Sequence, residues 1–276
     1  MKTIAQKIFF GKGIYLLIIE FSLLTILVIK YHLFGELSVE DSKPFSNLLL
    51  ILLCITSGII CIKRMQDWGG YRSRVGKVLL FYSIGFFAWA AGSIIWSYHG
   101  LFLGTAVPFP GWPDLAYVFI NPAFITGFGL FGYITALRNQ KNQTKQKFYF
   151  YLIPICMALV TFYFISTIGR GNTGTDDTLA TLLNFYYTGG DIVILVVLML
   201  FGGTTFNYLG ERLRLPFTLA LSAIVASYIA DTLYAYTTAT GTYTNGGITD
   251  FFYALLLFLL AVAAHALHPR LLEDEK

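Results

Sequence analysis

Long apolar runs dominate this sequence, each about twenty residues in length and separated from the next by a short polar segment. A helix of that length is about 30 Å long, which matches the hydrocarbon core of a bilayer. Eight runs can be placed in this way. They predict transmembrane helices at about Gly13–Phe34, Phe45–Ile62, Val78–Ser97, Asp114–Ala136, Phe148–Ile168, Thr178–Phe201, Pro216–Thr237 and Asp250–His268.

The composition supports this interpretation. Only 12% of the 276 residues are charged and 56% are hydrophobic, whereas about a quarter of a soluble domain is charged. The alternating pattern of a porin-like barrel is absent. We therefore predict an all-α polytopic membrane protein, a bundle of about eight transmembrane helices embedded in the lipid bilayer. The first run is too long for a signal-peptide core, so we expect it to be retained.

The placement of positive charge predicts the orientation. With the N-terminus inside, the cytoplasmic segments hold sixteen of the nineteen Lys and Arg residues. The connection Tyr98–Pro113, on the opposite side, contains none. The positive-inside rule then predicts that both termini are cytoplasmic. The sixteen are Lys2, Lys7, Lys12, Lys63, Arg64, Arg72, Arg74, Lys77, Arg138, Lys141, Lys145, Lys147, Arg212, Arg214, Arg270 and Lys276.

We expect a single transmembrane domain over residues 1–276 with no soluble domain. The segment after the last predicted helix, HPRLLEDEK, is too short to fold alone.

Two of the predicted helices each carry a carboxylate within an apolar run, Asp191 and Asp231. A charge at bilayer depth costs at least about 2.5–3.5 kcal/mol, so such residues tend to face the interior of a bundle. Polar residues three and four positions away share a helix face with each of them. The two resulting stripes are Asn184, Tyr187, Thr188 and Asp191, and Ser227, Tyr228, Asp231 and Tyr234.

Asp114 and Asp250 begin two further helices on the outer side. We therefore expect four carboxylates to converge in the outer half of the bundle with no Lys or Arg among them. A buried carboxylate without a counter-charge must be protonated, accept hydrogen bonds or bind a cation. The predicted ligand-binding residues are Asp191, Asp231, Asp114 and Asp250, with Tyr187, Tyr228 and Tyr234 as hydrogen-bond donors.

Several roles remain open for these carboxylates. Asp191 and Asp231 are either hydrogen-bonded contacts between helices, parts of a ligand or cation pocket open to the outside, or parts of a proton or ion path. Asp114 and Asp250 either line the same pocket or cap their helices, where a carboxylate favours the helix dipole. Glu20, alone in the first predicted helix, is either a packing contact or an assembly contact.

The sequence lacks the motifs of the catalytic classes considered. An intramembrane aspartyl protease needs Gly-x-Gly-Asp and Tyr-Asp, but Thr188 begins TGGD and Ala230 precedes Asp231. The last three predicted helices contain no lysine for a retinal Schiff base, and His99 and His265 lack partners at metal-ligand spacing. We predict no enzymatic activity, cofactor, metal site or nucleic-acid partner.

The order of short motifs resembles a family of bacterial and archaeal membrane-embedded sensory regions. PFPGWPDLAYVFINP resembles its Pro-x-x-x-Asp-x-x-Tyr segment, and YYTGGDIVILVVLML resembles its Tyr-Pro-x-x-Asp helix, with Thr188 where proline is usual. SYIADTLYAY is similar to its Ala-Asp-x-x-Tyr helix. The motifs lie between about Val78 and Leu267, within a seven-helix region of about 45–268 that one extra helix precedes.

The resemblance implies a signal-input module in a prokaryotic cytoplasmic membrane, with Asp114, Asp191, Asp231 and Tyr234 at motif positions. In that family the helices usually precede a diguanylate cyclase, a phosphodiesterase or a histidine kinase, and here we expect no output domain after His268. We therefore expect a standalone sensor that binds a small ligand or cation and signals to a partner at the loops Lys63–Lys77 and Arg138–Lys147. The alternatives are a cation or proton transporter or channel, and a structural subunit of a membrane complex.

Overall fold

A computed structural model describes residues 12–30, 39–136 except 106 and 108, 178–202 and 211–269, and residues 155, 156, 159 and 163. Seven long helices lie in this part of the chain. No strand occurs within these ranges. The helices are α1 (Lys12–Ile29), α2 (Val39–Asp67), α3 (Arg74–Tyr98), α4 (Ile120–Ala136), α5 (Thr178–Gly202), α6 (Glu211–Ala239) and α7 (Ile248–Ala266).

Six helical spans are long and apolar enough to cross a membrane: five correspond to α2, α3, α5, α6 and α7, and the sixth is Asp114–Ile134, which contains most of α4. The prediction of a polytopic helical protein is confirmed at this level. The apolar part of α1, Gly13–Ile29, is shorter than the other six. The predicted helix Phe148–Ile168 lies largely outside the described residues, although the four described positions within it are helical.

The predicted helix Asp114–Ala136 is interrupted in the structure. A short helical turn, Asp114–Tyr117, ends before α4 begins at Ile120. Pro122 lies in the first turn of α4, where its missing N–H costs nothing because the first N–H groups of a helix have no partner within it. Val118 and Phe119 form the turn between the two segments.

All seven helices contribute to one hydrophobic core. Fully buried side chains include Leu17 of α1, Leu53 of α2, Phe86 of α3, Phe128 of α4 and Leu257 of α7. Leu and Ile side chains on the opposite side of α1 are exposed, as expected for a surface that faces lipid rather than water. Packing in this core therefore holds each of the seven helices against its neighbours.

Glu20 is buried within this core. Its side chain is 5% exposed, and its Oε1 accepts a hydrogen bond of 2.9 Å from the Thr56 hydroxyl of α2. Of the two interpretations left open for Glu20, the structure shows a packing contact within the chain.

Glycines of α3 make room for aromatic rings. A Cβ on Gly85 would overlap the ring of Phe124, and one on Gly92 would overlap the ring of Tyr117. Small residues on membrane helices commonly let two backbones approach, but here the space is filled by side chains of α4 and the preceding turn. Gly92 thereby sets the position of Tyr117.

We expect Gly85→Ala to destabilise the protein by about 1–3 kcal/mol, because the added methyl displaces the buried Phe124 ring from a packed core. Thermal unfolding in detergent would measure this. Gly100→Ala is the matched control, since a Cβ there meets no atom within 4 Å. Equal unfolding temperatures for the two variants would contradict the expectation.

Candidate functional site

A cavity of about 150 Å³ lies in one half of the bundle. Its walls come from the N-terminal parts of α2, α4, α5 and α7 and the C-terminal parts of α3 and α6, together with the connections 99–113 and 240–247. We call this half the cavity end. The basic connection between α2 and α3 lies at the opposite end, because the chain enters it from the C-terminus of α2.

The structure brings six of the seven predicted site residues to this cavity. The four carboxylates line it together, and so do two of the three tyrosines. Tyr228 is not among the lining residues. It lies on the opposite margin of the α6 face from Tyr234, because each residue of a helix is rotated by about 100° from the last. The six are Asp114, Asp191, Asp231, Asp250, Tyr187 and Tyr234.

Asp191 and Asp231 form the centre of the site, where α5 faces α6. Ser227 donates a hydrogen bond of 2.8 Å to Oδ1 of Asp191, and Tyr253 of α7 donates one of 2.8 Å to Oδ1 of Asp231. The two carboxyl groups are close enough to interact electrostatically. The predicted pair of facing polar stripes is therefore present, and α7 adds a third side.

Asp191 is the least satisfied of these groups. Its side chain is only 3% exposed, and its Oδ2 is a buried atom with no hydrogen-bond partner. A buried polar atom without a partner costs about 1–3 kcal/mol, and a charged one costs more. A hydrogen-bond donor or cation placed beside Oδ2 would therefore stabilise the site more than one placed elsewhere in the cavity.

The other two carboxylates support the loops at the cavity end. Asp114 accepts hydrogen bonds of 2.7 Å from both the Gly111 N–H and the Tyr187 hydroxyl. Asp250, 2% exposed, accepts one of 2.6 Å from the Gly246 N–H. Both contacts hold a backbone N–H of the loop that precedes the helix, and neither helix has a side-chain hydrogen bond at its N-cap, so each carboxylate fixes its loop rather than capping its helix. Because both residues also line the cavity, loop support and cavity lining coexist.

Tyr243 connects the 240–247 loop to this set. Its single hydroxyl proton is shared between two acceptors, Oδ1 of Asp250 and Oδ1 of Asn245, each 3.1 Å from the hydroxyl oxygen. Burial, reinforced by the nearby charge of Asp250, raises the pKa of the Tyr243 hydroxyl well above its usual value. The hydroxyl therefore keeps its proton at physiological pH and remains a donor.

Aromatic rings form much of the remaining wall. Trp89 and Tyr253 pack edge to face, with ring centroids 5.3 Å apart and an interplanar angle of 75°. Tyr234 and Tyr243 do the same at 5.1 Å and 76°. Further rings come from Trp96, Phe109, Tyr117 and Phe124. No Lys, Arg or His is among the lining residues of the described chain.

Some of these residues carry a weak sequence signal. Tyr253 lies three positions after Asp250, so the helical spacing that predicted the stripes on α5 and α6 also places it near Asp250. Trp96, whose position beside the Tyr98–Pro113 loop is typical of an anchor at the membrane interface, also lines the cavity. Nothing in the sequence marks Trp89, because its role depends on the partner that packs against it.

Tyr253→Phe tests the central hydrogen bonds. Removal of the hydroxyl leaves Oδ1 of Asp231 without its donor, so we expect a loss of about 1–3 kcal/mol in stability. Thermal unfolding in detergent would measure it, with Tyr71→Phe, a residue 63% exposed, as the matched control. A Tyr253→Phe variant as stable as this control would show that the bond contributes nothing.

Comparison with known proteins does not assign a function to the site. No protein-family model matches the chain, and searches of curated proteins and of solved structures give no significant match. Among the described residues, no three His, Cys, Asp or Glu side chains are grouped so that they could hold a metal ion.

Proposed function

We propose that the protein is a membrane signal-input protein whose cavity binds a small ligand or cation. The observation that carries the proposal is the buried Oδ2 of Asp191, which has no partner and belongs to a carboxylate that lines the cavity. Four carboxyl groups around one cavity would repel one another if all were ionised, because water is scarce there. A bound cation or hydrogen-bond donor would lower that repulsion, and this supports binding over a purely structural role.

A route from the cavity to the opposite end supports signalling. Helix α7 begins at the cavity with Asp250 and Tyr253 and ends near α2. At that end Nη2 of Arg64 lies 3.0 Å from Nε2 and 3.2 Å from Nδ1 of His265. Trp68 donates a hydrogen bond of 2.9 Å to the Leu267 carbonyl. Fifteen residues of helix, from Asp250 to His265, span about 22 Å.

A ligand would act by favouring one packing of α5, α6 and α7 over another. Asp191, Asp231 and Tyr253 belong to these three helices, so one bound group touching all three changes their relative stability. A shift of α7 would reach Arg64 and Trp68 because their contacts are with its last turn. Those two residues adjoin the basic connection between α2 and α3.

The placement of the site in a cell follows from the charge pattern. We propose eight spans with both termini in the cytoplasm, so that the cavity faces outward and the Lys63–Lys77 loop faces a cytoplasmic partner. The Arg138–Lys147 loop, outside the described residues, belongs to the same proposed docking surface. The resemblance to prokaryotic sensory regions supports a cytoplasmic membrane and a signalling role.

A high-resolution density map of the purified protein in lipid tests the binding proposal. We expect density that is not protein in the cavity, in contact with Asp191 or Asp231. A tightly packed seam in which both carboxylates contact only protein side chains would overturn it and leave these residues as contacts between helices.

A transporter is the rival function, because carboxylates within helices also mark ion paths. Purified protein in liposomes distinguishes the two, since a sensor is expected to produce no net flux of protons, Na⁺ or K⁺ above protein-free vesicles. Flux that disappears in Asp191→Asn would favour the transporter. A structural subunit would instead co-purify with a partner and tolerate Asp191→Ala and Asp231→Ala without loss of signal.

A further inference from the structure

We infer that the ligand of this cavity is a small protonated organic amine, with its N–H donating to Oδ2 of Asp191 and its organic part against the aromatic wall. This inference rests on the proposed function and specifies the chemical class that the site would accept.

Charge and hydrogen bonding point to an ammonium group. Oδ1 of Asp191 already accepts the Ser227 hydroxyl, whereas Oδ2 accepts no hydrogen bond and has the Asp231 carboxyl group, itself an acceptor when ionised, as its polar neighbour. The missing group is therefore a donor, and the neighbouring Asp231 makes a positively charged donor more favourable than a neutral one. A primary or secondary ammonium supplies both a charge and N–H bonds, whereas a quaternary ammonium supplies only the charge.

The wall chemistry points to an organic cation. Trp89 packs edge to face on Tyr253, and Tyr234 does so on Tyr243. All four rings line the cavity. Aromatic faces attract cations and also bury apolar carbon. An inorganic cation such as Ca²⁺ prefers a shell of six to eight oxygens. The carboxylates of Asp114 and Asp250 already accept hydrogen bonds from the protein.

The volume limits the size of the amine. A cavity of about 150 Å³ is comparable to engineered protein cavities that bind benzene. An ammonium group attached to a single ring, or to a short alkyl chain, therefore fits the space. A longer amine would need the cavity to widen.

Matched probes test the inference on the full-length protein in lipid nanodiscs. Benzylammonium is compared with benzyl alcohol, which has nearly the same shape but no charge, with tetramethylammonium, and with Na⁺, K⁺, Mg²⁺ and Ca²⁺. Equilibrium binding is measured by titration calorimetry for the wild type and for Asp191→Asn. Asp67→Asn is the control, because Asp67 is a half-exposed carboxylate paired with Arg64 outside the cavity.

We expect saturable binding of benzylammonium, weaker binding of tetramethylammonium and none of benzyl alcohol. Asp191→Asn should weaken benzylammonium binding about tenfold or more, since it removes the charge of a buried pair, and Asp67→Asn should leave it unchanged. Equal binding of benzyl alcohol would overturn the inference. If Asp191→Asn weakens the binding of Na⁺, K⁺, Mg²⁺ or Ca²⁺ and not that of benzylammonium, the inference of an amine ligand is overturned, whereas the proposal of a cation site is kept. If no probe binds, the inference of an amine ligand is also overturned. The proposed function is then still tested by the search for non-protein density in the cavity.

Discussion

Gly190→Ala should destabilise the protein by about 1–3 kcal/mol and distort the cavity, whereas the same change at the adjacent Gly189 should be tolerated. A Cβ on Gly190 would overlap the side-chain amide of Asn121. That amide donates a hydrogen bond of 2.8 Å to the Tyr186 carbonyl and so joins α4 to α5. The added methyl must therefore either displace Asn121 or separate the two helices.

Gly189 provides a control within the same helical turn. A Cβ at Gly189 meets no atom within 4 Å, and alanine is about 1 kcal/mol more favourable than glycine inside a helix. We therefore expect Gly189→Ala to be neutral or stabilising. Thermal unfolding of both variants in one detergent gives the comparison. Similar losses at the two positions would mean that flexibility of the Gly-Gly pair, rather than the contact with Asn121, matters.

Asp191→Asn should raise the stability of the ligand-free protein by about 1–3 kcal/mol, because an ionised Asp191 has no cation beside it and the amide carries no charge. The new amide can also donate toward Asp231, which an ionised carboxylate cannot do. This sign distinguishes a binding site from a structural contact. Proteins often accept lower stability at a functional site, whereas loss of a structural contact lowers stability.

Thermal unfolding without added ligand measures this effect, and Ser227→Ala is the matched comparison. Ser227 donates to Asp191, so its removal deprives the carboxylate of its donor and should destabilise the protein. If Asp191→Asn and Ser227→Ala both lower the unfolding temperature, Asp191 is a contact that holds α5 to α6, and the binding proposal loses its main support.

The helical class, and the residues that share a face of each helix, could be predicted from the sequence. Apolar runs of bilayer length leave helices as the structure that satisfies the backbone hydrogen bonds in lipid without a closed barrel. The spacing of three and four residues placed Tyr187 with Asp191, and Tyr234 with Asp231. Because successive spans alternate in direction, the chain order also placed all four carboxylates at one end.

Only the tertiary structure decided which of these faces meet and what fills the space between them. Tyr253 donates to Asp231, Trp89 contributes to the wall and Tyr228 stays off it. The structure also decided that the Tyr117 ring packs against Gly92, whereas no side chain packs against Gly189. The physical reason is that helical periodicity defines each helix face within its own helix. The rotation of one helix against another depends on how all the side chains of the bundle pack together, including residues far apart in the chain.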